Sequence, residues 1–73
     1  MATSYNRLWK LLIDKKMSQS DLRKAAEISP NTMTKLRRDE NVALPILDRI
    51  CGTLNVDYGD IMEHVSDPRE NLL

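Results

Sequence analysis

The sequence has few of the residues that build disulfide frameworks, metal centres and membrane spans. It contains one cysteine and one histidine among 73 residues, which excludes an internal disulfide and any site built from several cysteines. No run approaches the roughly 20 apolar residues that cross a bilayer. The first ten residues, MATSYNRLWK, contain no apolar signal-peptide core. These absences predict a cytoplasmic protein with no membrane contact, no metal and no cofactor.

Aromatic residues and enzyme motifs are also scarce. The chain has no Phe, one Trp and two Tyr, although 41% of its residues are hydrophobic, so its core must be mostly aliphatic. A chain of this size forms one domain at most and buries only roughly 60% of its unfolded surface. We find no paired carboxylates, no Ser/His/Asp or Cys/His arrangement and no Gly-rich phosphate loop. The sequence therefore predicts a binding domain and not an enzyme.

The formal net charge is zero, but the charges are separated along the chain. Residues 1–38 hold nine basic and three acidic residues, a net +6, and residues 39–73 hold two basic and eight acidic residues, a net −6. Such a separation predicts one surface for an anionic partner and another that faces away from it. The alternative is that these charges only decorate a solvated surface.

The stretch from Ser18 to Arg38 contains two short helical patterns joined by a tight corner. Ser18 and Asp21 stand in the spacing of a capping box, which predicts the start of the first helix. The second begins at Ser29, where Pro follows at a position that tolerates it. Only two residues lie between the two patterns. A connection that short forces a sharp crossing, which is the geometry of a helix-turn-helix.

Three more segments show apolar residues at helical spacing, and no segment alternates as a strand would. These predicted helices run from an N-cap at Ser4 to about Lys16, from Leu44 to Leu54, and from Tyr58, capped by Asp57, to about Val65. We therefore predict a domain over residues 1–65 and a C-terminal tail over residues 66–73.

These patterns together resemble the lambda-repressor-like, Cro/CI-type (XRE-type) helix-turn-helix regulators. The resemblance covers about residues 5–65. The matching residues are Ser18, Gln19, Leu22, Ala26, Ile28, Ser29, Asn31, Thr32, Met33, Lys35, Leu36, Leu44, Leu47, Ile50, Leu54, Asn55, Val56 and Ile61. It implies an all-α, compact five-helix lambda-repressor-like DNA-binding domain, with the helix-turn-helix at helices 2 and 3.

The resemblance also implies a function. The expected protein is a small regulator, acting as a repressor in the bacterial cytoplasm and associated with the nucleoid when bound. Its expected partner is double-stranded DNA at a pseudo-palindromic operator, bound by a homodimer, with no small-molecule ligand. Candidate dimer contacts are Tyr58, Met62, Val65, Leu72 and Leu73.

Two residues depart from the family pattern at the packed corner. The family usually has a small residue, often Ala, at the position of Arg23, and Gly at the position of Glu27. We expect Glu27 to adopt a left-handed, mildly strained backbone. Arg23 could keep its stem on the core and its charged head in water, or bind a phosphate.

Matching positions imply where DNA would be contacted, with Ser29 to Arg38 as the recognition segment in the major groove. Asn31 has the chemistry to bond adenine N6 and N7, and Lys35 to bond guanine O6 and N7, while Pro30 offers only apolar contact. Gln19, Thr32 and Arg38 are expected on phosphates, which position the protein without specifying sequence. The predicted DNA-contacting residues are Gln19, Ser29, Pro30, Asn31, Thr32, Thr34, Lys35, Arg38 and Asn41.

A different class of function stays open at this point. The fold could serve as a protein-interaction module, such as an antitoxin-type adaptor, without specific DNA binding. The acidic second half and the zero net charge favour that alternative modestly. Several of the polar residues assigned to DNA could equally be capping or solvated residues.

Overall fold

Two short strands, one at each end of the described part of the chain, pair with each other. The structure is a computed structural model that describes residues 2–65. Its elements are β1 (Ala2–Ser4), α1 (Asn6–Asp14), α2 (Gln19–Ala25), α3 (Pro30–Arg37), α4 (Leu44–Leu54), a 3-10 turn (Tyr58–Asp60) and β2 (Glu63–Val65). The strands are antiparallel, with Ala2 opposite Val65, Thr3 opposite His64 and Ser4 opposite Glu63. The predicted tail, which includes Leu72 and Leu73, lies outside the described residues.

Side-chain caps start α2 and α3 where the sequence predicts. The Ser18 hydroxyl accepts the backbone N–H of Asp21 at 3.0 Å, and the Asp21 carboxylate accepts the N–H of Ser18 at 3.0 Å. This reciprocal pair satisfies two N–H groups that have no partner inside the helix. Pro30 occupies the first turn of α3 and follows the capping residue Ser29. Both predicted starts are confirmed.

A single aliphatic core lies beneath the helices. Its residues are Tyr5, Leu8, Leu12, Leu22, Ala26, Ile28, Met33, Leu36, Leu47, Ile50, Cys51, Leu54 and Ile61. Full burial of one such aliphatic side chain stabilises the fold by about 1.5–3 kcal/mol. Because α2 and α3 contribute Leu22, Met33 and Leu36 to this core, the corner between the two helices cannot shift without opening it.

The fourth helix follows its prediction closely. It spans Leu44–Leu54, begins at Ala43 without a side-chain cap, and accommodates Pro45 in its first turn. Asn55 ends it in the left-handed conformation, with φ 56°. Asn tolerates this conformation better than most residues because its short polar side chain bonds locally.

The predicted fifth helix is wrong. Asp57 and Asp60 do form a capping box, but the turn it starts ends at Asp60. The next residues, Glu63–Val65, are extended and pair with β1 instead. Residues 2–65 therefore contain four α-helices and a two-stranded sheet, and the expectation of five helices and no strand is corrected.

The first helix is shorter than predicted at both ends. Ser4 is extended because it pairs with β2, so α1 begins one residue beyond Tyr5, at Asn6. The Ser4 hydroxyl still accepts the N–H of Asn6, at 3.3 Å. The helix ends at Asp14, and Lys16 turns the chain with a φ of 56°. No helix within residues 2–65 has the length and apolar composition that crossing a membrane requires.

Candidate nucleic-acid interface

The corner between α2 and α3 is held in a strained but well-supported conformation. Glu27 has a φ of 54°, which confirms the predicted left-handed backbone. The next residue, Ile28, is buried in the core. From α4, the Arg49 guanidinium donates to the Glu27 carbonyl at 3.1 Å. The core below and Arg49 at the side therefore fix how α3 projects from the domain.

One face of α3 is buried and the opposite face is exposed and polar. Met33 and Leu36 point into the core. With 3.6 residues per turn, the side opposite them carries residues 31, 34, 35 and 38. These are Asn31, Thr34, Lys35 and Arg38, and all four are exposed. We call this set the outer face of α3. It contains four of the predicted DNA contacts and no acidic residue.

The start of α3 uses two predicted DNA contacts for its own capping. The Ser29 hydroxyl accepts the N–H of Thr32 at 3.2 Å and lies 3.0 Å from the Thr32 hydroxyl. On the outer face, the Thr34 hydroxyl donates to the Pro30 carbonyl at 3.1 Å. These hydroxyls therefore have structural partners, and their contact with DNA stays a prediction.

A shallow polar groove of about 260 Å³ separates the beginning of α2 from α3, and we call it the α2–α3 groove. It is lined by Gln19, Ser20, Arg23, Pro30, Met33 and Arg37. Across it, the Arg37 guanidinium donates to the Gln19 side-chain oxygen at 2.9 Å. Gln19 and Pro30, two of the residues predicted to contact DNA, therefore line the same groove.

Arg37 is a residue that the sequence-based assignment missed. It lies seven residues after Pro30, which is about two turns of helix, so the two share a side of α3. That spacing is visible in the sequence and could have identified Arg37 as a neighbour of Pro30. The hydrogen bond to Gln19 was not visible, because it depends on how α2 and α3 cross.

The loop after α3 is fastened to the start of α1. The Asp39 carboxylate accepts the Tyr5 N–H at 3.0 Å, and the Tyr5 hydroxyl donates to the Glu40 carbonyl at 3.0 Å. Burial raises the pKa of the Tyr5 hydroxyl above its ordinary value. The Asp39 carboxylate therefore has a partner within the protein. Asn41, the predicted contact of this loop, is exposed.

Three acidic residues of the second half lie near Cys51, one on α4 and two after it. Burial raises the pKa of the Cys51 thiol, and the negative charges of Asp57, Asp48 and Asp60 raise it further. The Tyr58 hydroxyl lies 3.4 Å from an Asp48 carboxylate oxygen. Within residues 2–65, no group of three or more His, Cys, Asp or Glu side chains is arranged to hold a metal ion.

The supported corner, the polar outer face of α3 and the basic groove beside it define a class of protein, the helix-turn-helix DNA-binding proteins. The model of the Cro/C1-type helix-turn-helix DNA-binding domain matches residues 7–67 of this chain. The chain therefore belongs to the Cro/C1-type helix-turn-helix family, which confirms the resemblance seen in the sequence.

A solved structure supports the same assignment. The chain is similar to the transcriptional regulator VanUg, with 48% sequence identity and a TM-score of 0.88. The similarity covers 90% of this chain and 88% of that chain. A comparison with curated proteins gives no match. The family and this neighbour together support DNA-binding transcription regulation.

Proposed function

We propose that the protein binds double-stranded DNA sequence-specifically and acts as a transcriptional repressor, with Ser29 to Arg38 as the recognition segment in the major groove. The observation that carries this proposal is the outer face of α3. Its side chains are exposed, polar and not acidic, and they lie opposite buried Met33 and Leu36. Repression needs only that the bound domain occupy DNA that the transcription machinery requires.

Base recognition falls to three residues on α3. Asn31 can bond the N6 and N7 of adenine, and Lys35 can reach the O6 and N7 of guanine. Each good base contact of this kind is worth about 1–3 kcal/mol of discrimination. Pro30 has no N–H and offers a thymine methyl an apolar contact.

Backbone contacts come from residues around this set. Arg38 continues the outer face of α3 beyond Lys35, and Asn41 is exposed on the loop after the helix. Gln19 lies across the α2–α3 groove from α3. Contacts to phosphate orient the protein on the duplex without reading its sequence. Ser29, Thr32 and Thr34 hold the start of α3, and their hydroxyl groups add further possible partners for the DNA backbone.

We infer that two copies bind one pseudo-palindromic operator. One recognition helix reads few base pairs, and a dimer doubles that number on half-sites about 34 Å apart. The surface at Tyr58, Met62 and Val65 suits a second copy, because Val65 is 42% exposed at the edge of a sheet with only two strands. Sedimentation of the full chain with and without DNA tests this. A monomer bound to operator DNA at one copy per site contradicts it.

Binding to random duplex DNA across a salt series tests the function itself. Because phosphate contacts release counterions, affinity should fall steeply as salt rises. No detectable binding at about 50 mM salt, where phosphate contacts act most strongly, contradicts the proposal.

Selection of bound sequences from a random pool, combined with variants, tests the docking. Lys35→Ala should relax the base preference at one position of the selected site by about 1–3 kcal/mol. Gln19→Ala should weaken all sites by a similar factor. Lys10→Ala is the matched control, because Lys10 is exposed on α1 opposite buried Leu8 and Leu12. Unchanged selectivity in Lys35→Ala shows that the docking is wrong.

A second candidate is an antitoxin-type adaptor that keeps the fold and binds a protein. The observation that favours it is the set of three acidic residues near Cys51, Asp48, Asp57 and Asp60, which suits a basic partner. The same salt series separates the two candidates, because an adaptor without a DNA function shows no affinity for random duplex.

A further inference from the structure

We propose that Arg37 is a positioning residue, which holds the Gln19 amide so that its N–H donors face the DNA phosphate already assigned to Gln19. This inference rests on the proposed DNA binding and names a site within it. The residues of the site are Gln19, Ser20, Arg23 and Arg37 around a groove of about 260 Å³. The direction of the amide, the charge and shape of the groove, and the rigidity of the corner all favour a bound phosphate.

The chemistry of the Arg37 contact fixes which way the Gln19 amide faces. A guanidinium carries only donors, so the atom of Gln19 that meets Arg37 at 2.9 Å must be the amide oxygen. The amide nitrogen, which carries two N–H donors, therefore faces away from Arg37. Without this contact the amide could turn its oxygen outward, and that oxygen would repel an anion.

The charge of the groove favours an anion as well. Arg23 and Arg37 both line it, and none of its lining residues is acidic. The acid on α2, Asp21, is turned to the Ser18 N–H at 3.0 Å. Hydrogen bonds from a guanidinium to a phosphate are roughly twice as strong as those between neutral groups.

The shape of the groove admits a phosphate that is part of a chain. The groove is open on its outer side and floored by Met33, which is buried in the core. Arg23 is half-buried and lines the groove, where an arginine can keep its stem on apolar surface and its charged head in water. A guanidinium presents its donors in a planar fork that matches two phosphate oxygens.

The corner supports keep the two sides of the groove at a constant separation. Gln19 and Arg23 are on α2, and Arg37 is on α3. Arg49 holds the Glu27 carbonyl at 3.1 Å, and the Ile28 N–H bonds the Arg23 carbonyl at 2.9 Å. The groove is therefore formed before DNA arrives, and binding does not require ordering of the corner.

Fluorescence anisotropy of the full chain with random duplex DNA, over a sodium chloride series, tests the proposal. Arg37→Gln should lower affinity about tenfold and reduce the log–log salt slope by about 1, because the groove loses one positive charge beside the phosphate that Gln19 contacts. Lys10→Gln, an equal loss of charge on α1, should leave the slope unchanged. A loss in Lys10→Gln that equals the loss in Arg37→Gln overturns the site, since net charge alone then explains the effect.

Gln19→Glu tests whether Gln19 binds a phosphate or only links α2 to α3. The glutamate keeps a partner for Arg37, in fact a stronger one, but replaces the outward N–H donors by a carboxylate oxygen. Affinity should therefore fall more in Gln19→Glu than in Gln19→Ala. If Gln19 serves only to join α2 to α3, Gln19→Glu binds DNA like the wild type, and the proposal is overturned.

Arg37→Lys tests the positioning role with the charge retained. Lysine ends in a compact, strongly hydrated ammonium on a flexible stem, which should hold the Gln19 oxygen less firmly than the guanidinium does. Arg37→Lys should therefore weaken binding about threefold to tenfold while the salt slope stays close to the wild type. In a Gln19→Ala background the same substitution should cost less than about twofold, because the amide that Arg37 orients is gone. An equal cost in both backgrounds shows that Arg37 does not act through Gln19.

Two further arms separate failure of the inference from failure of the proposed function. A wild type that binds no duplex at low salt overturns the proposed function, and the groove with it. A wild type that binds, with Arg37 and Gln19 variants that bind equally well and melt at the same temperature, overturns the groove alone.

Discussion

Two capping boxes in this chain begin alike and lead to different structures. Ser18 and Asp21 start α2, and Asp57 and Asp60 start a turn of three residues. In both, an acidic side chain accepts the backbone N–H of the capping residue at 3.0 Å. The local signal at the start is thus nearly the same, and the residues after each box make the difference.

The difference lies in what each segment can bury. Leu22 and Ala26 lie four residues apart, and both are buried, so α2 gains stability with each turn it adds. After Asp60, Ile61 is buried but Val65, four residues on, is 42% exposed. A helix through Val65 would give up the pairing of Glu63–Val65 with β1. A cap starts a turn, and a buried face or a strand partner decides how it continues.

The two regions differ in charge as well. The α2–α3 unit carries Arg23, Lys35, Arg37 and Arg38, while the C-terminal region is acidic. Arg7 ties that region to α1, through the Gly59 carbonyl at 2.8 Å and the Glu63 carboxylate at 3.2 Å. An exposed ion pair of this kind contributes only about 0–1 kcal/mol. We therefore expect the C-terminal region to be held in the fold more weakly than the α2–α3 unit.

The largest expected difference in stability between the two regions comes from truncation of an apolar side chain in each. Leu22→Ala should lower the free energy of unfolding by about 2–5 kcal/mol, because it leaves a cavity beside α3. Val65→Ala, at an exposed position, should cost below about 1 kcal/mol. Urea unfolding measures both. Equal costs show that the core does not distinguish the regions.

Removal of a capping side chain gives the next effect. Ser18→Ala should destabilise the protein by about 1 kcal/mol, because α2 loses an acceptor for the Asp21 N–H. Asp57→Ala should cost less, since the turn it starts carries three residues and no further helix. Thermal unfolding at neutral pH compares the two, and a larger loss in Asp57→Ala reverses the comparison.

Acid titration examines the reciprocal half of the α2 box. Hydrogen bonds from the backbone and side chain of Ser18 lower the pKa of Asp21 below its ordinary value. A carboxyl with a depressed folded-state pKa stabilises the protein above its unfolded pKa, near about 4, and the stabilisation is lost as pH falls through the folded pKa. Asp21→Asn should remove that part of the pH dependence. An identical acid profile in the wild type and Asp21→Asn contradicts the contribution.

A smaller effect, of opposite sign, tests strain at the corner. Glu27→Gly should raise the free energy of unfolding by about 0.5–1 kcal/mol. Glycine removes the roughly 1–2 kcal/mol that a left-handed L-residue costs, but the greater conformational entropy of the unfolded glycine chain offsets part of this gain. Lys24→Gly, within α2, is the control and should destabilise by about 1 kcal/mol. Destabilisation in both variants shows that Glu27 is not strained.

The smallest effect sharpens the reason why the second box stops. An added methyl at Gly59 meets no atom within 4 Å. If strand pairing ends the turn, Gly59→Ala should change stability by less than about 0.5 kcal/mol and leave helix content by circular dichroism unchanged. A rise in helix content shows instead that the glycine stops the helix.

Much of the fold could be predicted from residues close in the chain. The caps at Ser18 and Ser29, the left-handed backbone at Asn55 and the fourth helix all depend on contacts within about four residues. The left-handed backbone at Glu27 was implied by the resemblance to the family. A sequence displays such contacts directly, because helical spacing fixes which residues meet. The same helical spacing predicts which residues form the outer face of α3, and the sequence itself shows that they are polar.

The sequence by itself determined the helix-turn-helix, its caps and the family, since these depend on local chemistry in a fixed order. Only the tertiary structure decided that the ends of the domain form a sheet, because β1 and β2 meet across about sixty residues of chain. It likewise decided that Asp39 bonds Tyr5, 34 residues away, and that Arg37 holds Gln19, 18 residues away. Such partners are chosen by how helices cross around a shared core, and no local pattern records that crossing.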